Sequence, residues 1–95
     1  MAKKQLTLGE ALRARRDQLD LSQAEIAEQL GTTQGNLSRW ERDLTEPREP
    51  EVYRDLADFL EISLRDLAGL IAQSAYARAL RELALLQVQS GDEGF

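Results

Sequence analysis

Cysteine and histidine are both absent from the 95-residue chain. Without cysteine the chain has no disulfide, no thiolate nucleophile and no cysteine-based zinc site, and without histidine it lacks the commonest general base. The serines have no evident activating partner, and the carboxylates are dispersed along predicted helices. No phosphate-cradling glycine motif occurs, since Gly9, Gly31, Gly35 and Gly69 are each isolated. These absences argue against an enzyme and against a metal, a nucleotide or another cofactor.

Long apolar runs and strand patterns are missing as well. No stretch approaches the roughly 20 apolar residues of a membrane span, and the first seven residues contain no apolar run. We therefore expect a cytoplasmic chain with no membrane partner. No segment alternates apolar and polar residues over a sustained length, which predicts an all-α fold. A chain of 95 residues fits one small domain, so a separate ligand-sensing domain and its small-molecule ligand are not expected.

The segment Gln23–Glu41 predicts two short helices joined by a tight turn. Where two helices cross steeply, only a small side chain fits, and Ala27 occupies that position. Gly31 follows four residues later and can adopt the positive φ that the turn needs. Leu37 then points from the second helix into the core. This spacing indicates a helix-turn-helix motif that binds the major groove of DNA.

The second helix of the motif has two predicted faces. Trp40 at i+3 and Leu44 at i+7 continue the buried stripe that begins at Leu37. The opposite face carries Gly35, Arg39 and Arg42, and it is the candidate surface for reading DNA.

Residues typical of helix starts divide the chain into five predicted helices. These starts are Thr7 with Glu10, Ser22 with Glu25, Thr32 or Thr33, Pro50, and Ser63 with Asp66. The apolar positions predicted to be buried on the first, fourth and fifth helices are Leu8, Leu12 and Leu19, then Tyr53, Leu56, Ala57 and Leu60, then Leu64, Leu67 and Ile71.

From about Leu8 to Ile71 the chain resembles the Cro and lambda-repressor-like helix-turn-helix family, also called the XRE family. The matching pieces are Leu12 and Arg13, Arg16, LSQAEIAEQLG, LSRWER, Pro47 and LADFLEISLRDL. The resemblance implies a five-helix lambda-repressor-like DNA-binding domain, followed here by an additional C-terminal amphipathic helix. It also implies a sequence-specific regulator of transcription that binds double-stranded DNA, usually as a dimer on a two-fold operator. Arg16 and Glu41 occupy positions that form a partly buried ion pair in the family.

The resemblance also implies roles in DNA recognition. Gln34 lies where the family places a base-reading side chain, and a glutamine there can bind adenine through two hydrogen bonds. Ser38 and Arg39 are the other base-reading candidates, and for Arg39 a guanine contact, a phosphate contact and a solvated charge remain open. The phosphate-binding candidates are Gln23, Thr33, Asn36, Arg42 and Arg48.

Two residues depart from the family pattern. Gly35 stands where many relatives have a base-reading side chain, so no base is assigned to it. Asp43 stands where relatives commonly have glycine, although aspartate tolerates a left-handed conformation better than most residues. Asp43 and Glu46 would repel the DNA strand that Arg42 and Arg48 attract. Either these charges partly cancel, or the carboxylates point away from the duplex.

Net charge opposes binding to DNA at long range, because the chain carries −5 at pH 7. Residues 1–48 hold eight basic and eight acidic side chains, whereas residues 49–95 hold four basic and nine acidic ones. The excess of acid therefore lies away from the motif. Lys3, Lys4, Arg39, Arg42 and Arg48 could gather on the docking face, which predicts modest non-specific affinity.

Beyond Ile71 the resemblance ends, and residues 72–89 form a second amphipathic pattern. Its apolar stripe consists of Ala72, Ala75, Tyr76, Ala79, Leu80, Leu83 and Leu86. The stripe either makes a dimer contact, for which all of these residues except Ala72 are the candidates, or packs back on its own domain. We accordingly divide the chain into a DNA-binding domain (1–71, with an N-terminal arm 1–6), a dimerisation helix (72–89) and a flexible tail (90–95).

The predicted function is a dimeric repressor of transcription. The alternative is an antitoxin-like or adaptor module, in which the acidic half binds a protein partner and the helix-turn-helix is secondary or silent.

Overall fold

The computed structural model describes residues 5–89, so that Lys3, Lys4 and the predicted tail 90–95 lie outside the described residues. Over this range the chain is all-α, as predicted. Its helices are α1 (Leu8–Leu19), α2 (Gln23–Leu30), α3 (Gln34–Glu41), α4 (Pro50–Leu60) and α5 (Leu64–Gln89). None of these helices is long and apolar enough to cross a membrane.

Side-chain caps begin the helices where the sequence predicts them. Thr7 and Ser22 each accept a hydrogen bond from the third helical amide, and the glutamate at that position, Glu10 or Glu25, bonds back to the cap amide. Hydrogen bonds to the Glu25 carboxylate, first from the Ser22 amide and then from the Ser22 side chain, hold the pKa of Glu25 below its usual value. Thr33, rather than Thr32, caps α3.

The core lies where all five helices meet. Its fully buried side chains are Leu8 and Leu12 of α1, Ile26 of α2, Leu37 of α3, Leu56 of α4 and Leu67 of α5. The packing of α1 against both α3 and α5 fixes the motif to the rest of the domain. Replacing any of these leucines with alanine would lower the free energy of unfolding by about 2–5 kcal/mol. The orientation of α3 therefore depends on the whole core.

Three residues that the sequence predicts to be buried are exposed instead. Leu19 is 39% exposed, Leu44 43% and Leu64 53%. Leu19 and Leu64 lie at the last position of α1 and the first position of α5, where helix packing ends. Leu44 leaves the helical register of α3 because the preceding residue, Asp43, has a left-handed backbone with φ of 58°.

The C-terminal helix predicted from residue 72 is continuous with the fifth helix. α5 extends for 26 residues without a break. Leu67, Leu70 and Ser74 on one side of it pack against the domain. The stripe that contains Tyr76 and Leu80 lies on the other side and is exposed. α5 therefore belongs both to the predicted DNA-binding domain (1–71) and to the predicted dimerisation helix (72–89).

Candidate nucleic-acid interface

The α2–turn–α3 unit has the geometry that its sequence predicts. Ala27 is buried where α2 meets α3, and its carbonyl oxygen accepts a hydrogen bond from the Thr32 amide at 2.9 Å. Gly31 ends α2 with φ of 68°, a conformation that glycine adopts without strain. The turn is therefore tight enough to place α3 across α2.

One face of α3 is buried and the other is exposed. Leu37 and Trp40 lie in the core, which confirms that Trp40 is a packing residue. Gln34, Gly35 and Arg39 are exposed on the opposite face, and Ser38 is half-buried. The base-reading candidates thus lie on the accessible side of the second helix of the motif.

A chain of polar contacts orders the exposed face of α3. The Asn36 side chain donates to Thr32 Oγ1 at 3.1 Å and accepts a hydrogen bond from Arg39 Nη2 at 2.6 Å. Thr33 Oγ1 accepts a hydrogen bond from the Asn36 amide. These bonds hold the Arg39 guanidinium toward the start of α3, and its remaining N–H groups are directed away from Asn36.

The flanking cations also lie on the surface. Arg42 and Arg48 are both exposed, and Arg42 Nε donates a long hydrogen bond of 3.4 Å to the Ser38 carbonyl oxygen. Arg39 and Arg48 share a cleft of about 470 Å³ between α3 and the start of α4. Arg39 and Arg48 therefore lie on the same cleft, and Arg42 lies at the C-terminal end of α3.

Arg16 and Glu41 form the ion pair that the family resemblance implies. Arg16 Nε and Nη2 donate to the two carboxylate oxygens of Glu41 at 2.8 and 3.1 Å, and Glu41 is only 2% exposed. The hydrogen bond to Glu41 raises the pKa of the Arg16 guanidinium. Arg13 also donates to the Glu41 carbonyl oxygen. These contacts fix the end of α3 to α1.

Gln23 contributes to the same network. Its Nε2 donates to Glu41 Oε1 at 2.9 Å, so the half-buried side chain is directed toward the end of α3. The predicted phosphate contact would use its second amide hydrogen or the backbone N–H at the start of α2.

Asp43 points into the protein rather than toward solvent. Its carboxylate accepts hydrogen bonds from the Thr7 hydroxyl at 2.7 Å, the Gly9 amide at 2.9 Å and the Ser74 hydroxyl at 2.7 Å. Thr7 and Gly9 lie at the N-terminus of α1, where backbone amides favour an anion. The left-handed conformation of Asp43 makes this possible, because it turns the side chain back under α1.

Glu46 is held in a similar way. Both of its carboxylate oxygens accept hydrogen bonds from the guanidinium of Arg78 on α5. The sequence left open whether the carboxylates of Asp43 and Glu46 partly cancel the nearby cations or point away from the duplex. The structure favours the second outcome, since both carboxylates are bound by other parts of the protein.

Comparison with known proteins identifies the family. The family model described as "Helix-turn-helix" matches residues 12–67, which is more than half of the chain. The chain belongs to the Cro and lambda-repressor-like helix-turn-helix family. No curated protein sequence matches it significantly.

Two solved structures of the P22 c2 repressor resemble this family member. One is a crystal structure in complex with a synthetic operator. Its sequence is 38% identical to this chain and its TM-score is 0.56, and the match covers 64% of this chain and 89% of that one. The other is a solution structure of the repressor's DNA-binding domain. It is 36% identical, with a TM-score of 0.57 and coverage of 70% and 86%.

Ser74 and Arg78 contribute to this helix-turn-helix domain, although neither was predicted from the sequence. Ser74 is fully buried, and its hydroxyl accepts a hydrogen bond from the Leu8 amide while donating to Asp43. A sequence signal was present, since Ser74 follows Leu67 by seven residues and Leu70 by four, and Arg78 follows Ser74 by four. These spacings place both on the packing side of α5.

Replacing Gly35 with alanine should stabilise this helix-turn-helix domain. A Cβ at this position would lie 3.7 Å from Arg39 Nη1, its nearest neighbour, which is an ordinary van der Waals contact. Because glycine weakens a helix, we expect Gly35→Ala to raise the free energy of unfolding by about 0.5 kcal/mol in urea denaturation.

Gly31→Ala is the matched control. Any residue with a side chain is strained at this φ of 68°, so the free energy of unfolding of this variant should fall by about 1 kcal/mol. Destabilisation of Gly35→Ala to the same extent would show that α3 does not tolerate a Cβ there.

Proposed function

We propose that the chain is a transcriptional regulator that binds double-stranded DNA at a specific operator and reads it with the exposed face of α3. The observation that carries the proposal is the arrangement of this face, with Gln34 and Arg39 exposed on it and Arg42 and Arg48 exposed nearby. The fold resembles that of the P22 c2 repressor, one structure of which contains a synthetic operator. The major groove of B-DNA is wide enough to admit such a helix.

We propose a role for each of the candidate residues on and near the α3 face. Gln34, in the first turn, can bind an adenine edge through two hydrogen bonds, and Arg39 can bind a guanine edge or a phosphate. Ser38, half-buried one position before Arg39, is the third base-reading candidate. The remaining candidates suit the phosphate backbone, and they are Gln23, Thr33, Asn36, Arg42 and Arg48.

The electrostatics near α3 support binding despite the net charge of −5. Asp43 and Glu46 are bound within the protein, while Arg42 and Arg48 remain exposed. At physiological salt the Debye length is about 8 Å, so acidic side chains that lie further than this from the α3 face are largely screened. We expect such a regulator to act in the cytoplasm and to repress transcription by occupying a promoter.

Selection of bound sequences from random duplexes tests the proposal. The wild-type protein should enrich a sequence with two related half-sites, and binding to it should weaken with salt at a slope near −0.9 per phosphate contacted. Two-fold symmetry would place the half-sites about 34 Å apart, one turn of DNA. A chain with a silent motif would enrich no sequence and show no such slope.

We further propose that a second copy of the chain covers the exposed apolar stripe of α5. Tyr76, Leu83 and Leu86 are 57–59% exposed and Leu80 is 49% exposed. Ala75 and Ala79 lie on the same stripe, and their small side chains permit close approach of a second helix. Pairing of two such stripes would bury them and hold two α3 helices in one symmetric assembly.

Leu83→Glu should convert the dimer to a monomer, because dimerisation would bury the new carboxylate against apolar side chains. Sedimentation velocity at tens of micromolar gives the mass directly. Leu85→Glu is the matched control, since Leu85 is 61% exposed but lies about half a turn away from the stripe. A wild-type monomer, or an unchanged mass for Leu83→Glu, would contradict the proposed interface.

A further inference from the structure

Arg78 connects α5 to the loop that follows α3. It donates to both carboxylate oxygens of Glu46, at 2.7 Å from Nη2 to Oε1, and to the Asp43 carbonyl oxygen at 3.2 Å. The side chains of Arg78 and Glu46 are 27% and 15% exposed. Such a two-pronged pair, largely shielded from water, fixes the direction of the carboxylate.

Glu46 lies close to the cations that are proposed to contact DNA. It lines the same cleft as Asn36, Arg39 and Arg48, and it precedes Arg48 by only two residues. A carboxylate that turned into this cleft would compete with phosphate for the guanidinium groups. It would also repel the DNA strand directly.

We propose that Arg78 is a positioning residue for DNA binding, which acts by neutralising Glu46 and holding its carboxylate away from the phosphate-binding cations. Arg78 itself touches no DNA in this proposal, because it reaches the docking surface only through Glu46. The inference rests on the proposed function, and it adds a residue from outside the matched helix-turn-helix region.

The test compares four forms of the full chain on the duplex that the wild-type protein selects. These are the wild type, Arg78→Gln, Glu46→Gln and the double variant. Fluorescence anisotropy gives the dissociation constant of each at two salt concentrations, and circular dichroism checks folding. Arg78→Gln keeps most of the side-chain volume and a hydrogen-bond donor, and it loses the charge.

We expect Arg78→Gln to bind about tenfold more weakly at low salt, with a smaller deficit at high salt because repulsion by Glu46 is screened. The double variant should recover to within about threefold of the wild type, since the repelling charge is gone. Glu46→Gln alone removes that same charge and should bind at least as tightly as the wild type. This last variant tests the proposal even if Arg78→Gln does not fold.

If Arg78→Gln and the double variant bound the duplex equally weakly, the proposal would be overturned, because Arg78 would then matter for structure and not for the charge of Glu46. A tenfold loss in Glu46→Gln would also overturn it. Failure of the wild-type protein to bind any duplex would contradict the proposed function itself, which distinguishes the two failures.

Discussion

Gly9→Ala should destabilise the domain by about 3 kcal/mol, the upper end of the usual cost of adding atoms to a packed site. A Cβ at this position would lie 2.8 Å from the Trp40 carbonyl oxygen and 2.7 Å from Asp43 Oδ1, and it would also overlap the Glu41 carbonyl oxygen. Two of these atoms belong to the backbone of α3. α1 and α3 must therefore move apart, which breaks the hydrogen bond from the Gly9 amide to Asp43.

Urea denaturation measures this loss, and Gly69→Ala provides the control. Gly69 is also a helical glycine, but a Cβ there would meet no atom within 4 Å. Gly69→Ala should thus gain about 0.5–1 kcal/mol from helix propensity. If Gly9→Ala instead remained within 1 kcal/mol of the wild type, the close approach of α1 to α3 would be wrong.

Arg16→Met should cost about 3–5 kcal/mol, because it leaves the Glu41 carboxylate buried without its counter-ion. Methionine keeps much of the arginine packing, so the loss reports mainly the charge. After the substitution, Gln23 Nε2 would be the remaining side-chain donor to the carboxylate. If this variant also lost DNA binding, the cause would be unfolding, since Arg16 bonds to Glu41 at the end of α3.

A double variant separates the stranded charge from the lost contact. Arg16→Met with Glu41→Gln should recover at least 1 kcal/mol relative to Arg16→Met, because no charge remains buried. Glu41→Gln alone should cost less than Arg16→Met, since the Arg16 side chain is 25% exposed and can be hydrated. Additive losses in the double variant would contradict a specific ion pair.

The helix positions could be predicted from the sequence because local chemistry sets them. Thr7 and Ser22 form capping boxes that depend on residues three positions away, and Gly31 ends α2 through its own backbone freedom. The alternation of buried Leu37 and Trp40 with exposed Arg39 likewise follows from helical periodicity alone. The predictions failed at Leu44 because periodicity stops where Asp43 reverses the backbone.

The directions of the Asp43 and Glu46 side chains could not be predicted from the sequence, because they depend on residues distant in sequence. Asp43 is 36 residues from Thr7 and 31 from Ser74, and Glu46 is 32 from Arg78. No pattern within the loop indicates which way these carboxylates point. The family resemblance did not help either, since α5 beyond Ile71 lies outside it and aspartate replaces the usual glycine at position 43.

The exposed face of α3 is proposed to enter the major groove, and Gln34→Ala tests this most directly. Gln34 is exposed in the first turn of α3, so the variant should remain folded. Its matched control, Gln18→Ala, removes an exposed glutamine from α1, where the side chain accepts a hydrogen bond from Arg15. All three proteins should be used to select sequences from the same pool of random duplexes.

We expect Gln34→Ala to lose its preference at one base position per half-site, worth about 1–3 kcal/mol of discrimination, and to keep the rest of the site. Gln18→Ala should select the wild-type site unchanged. If Gln34→Ala also selected the wild-type site unchanged, α3 would not read bases through its first turn, which would contradict the proposed entry of its exposed face into the major groove.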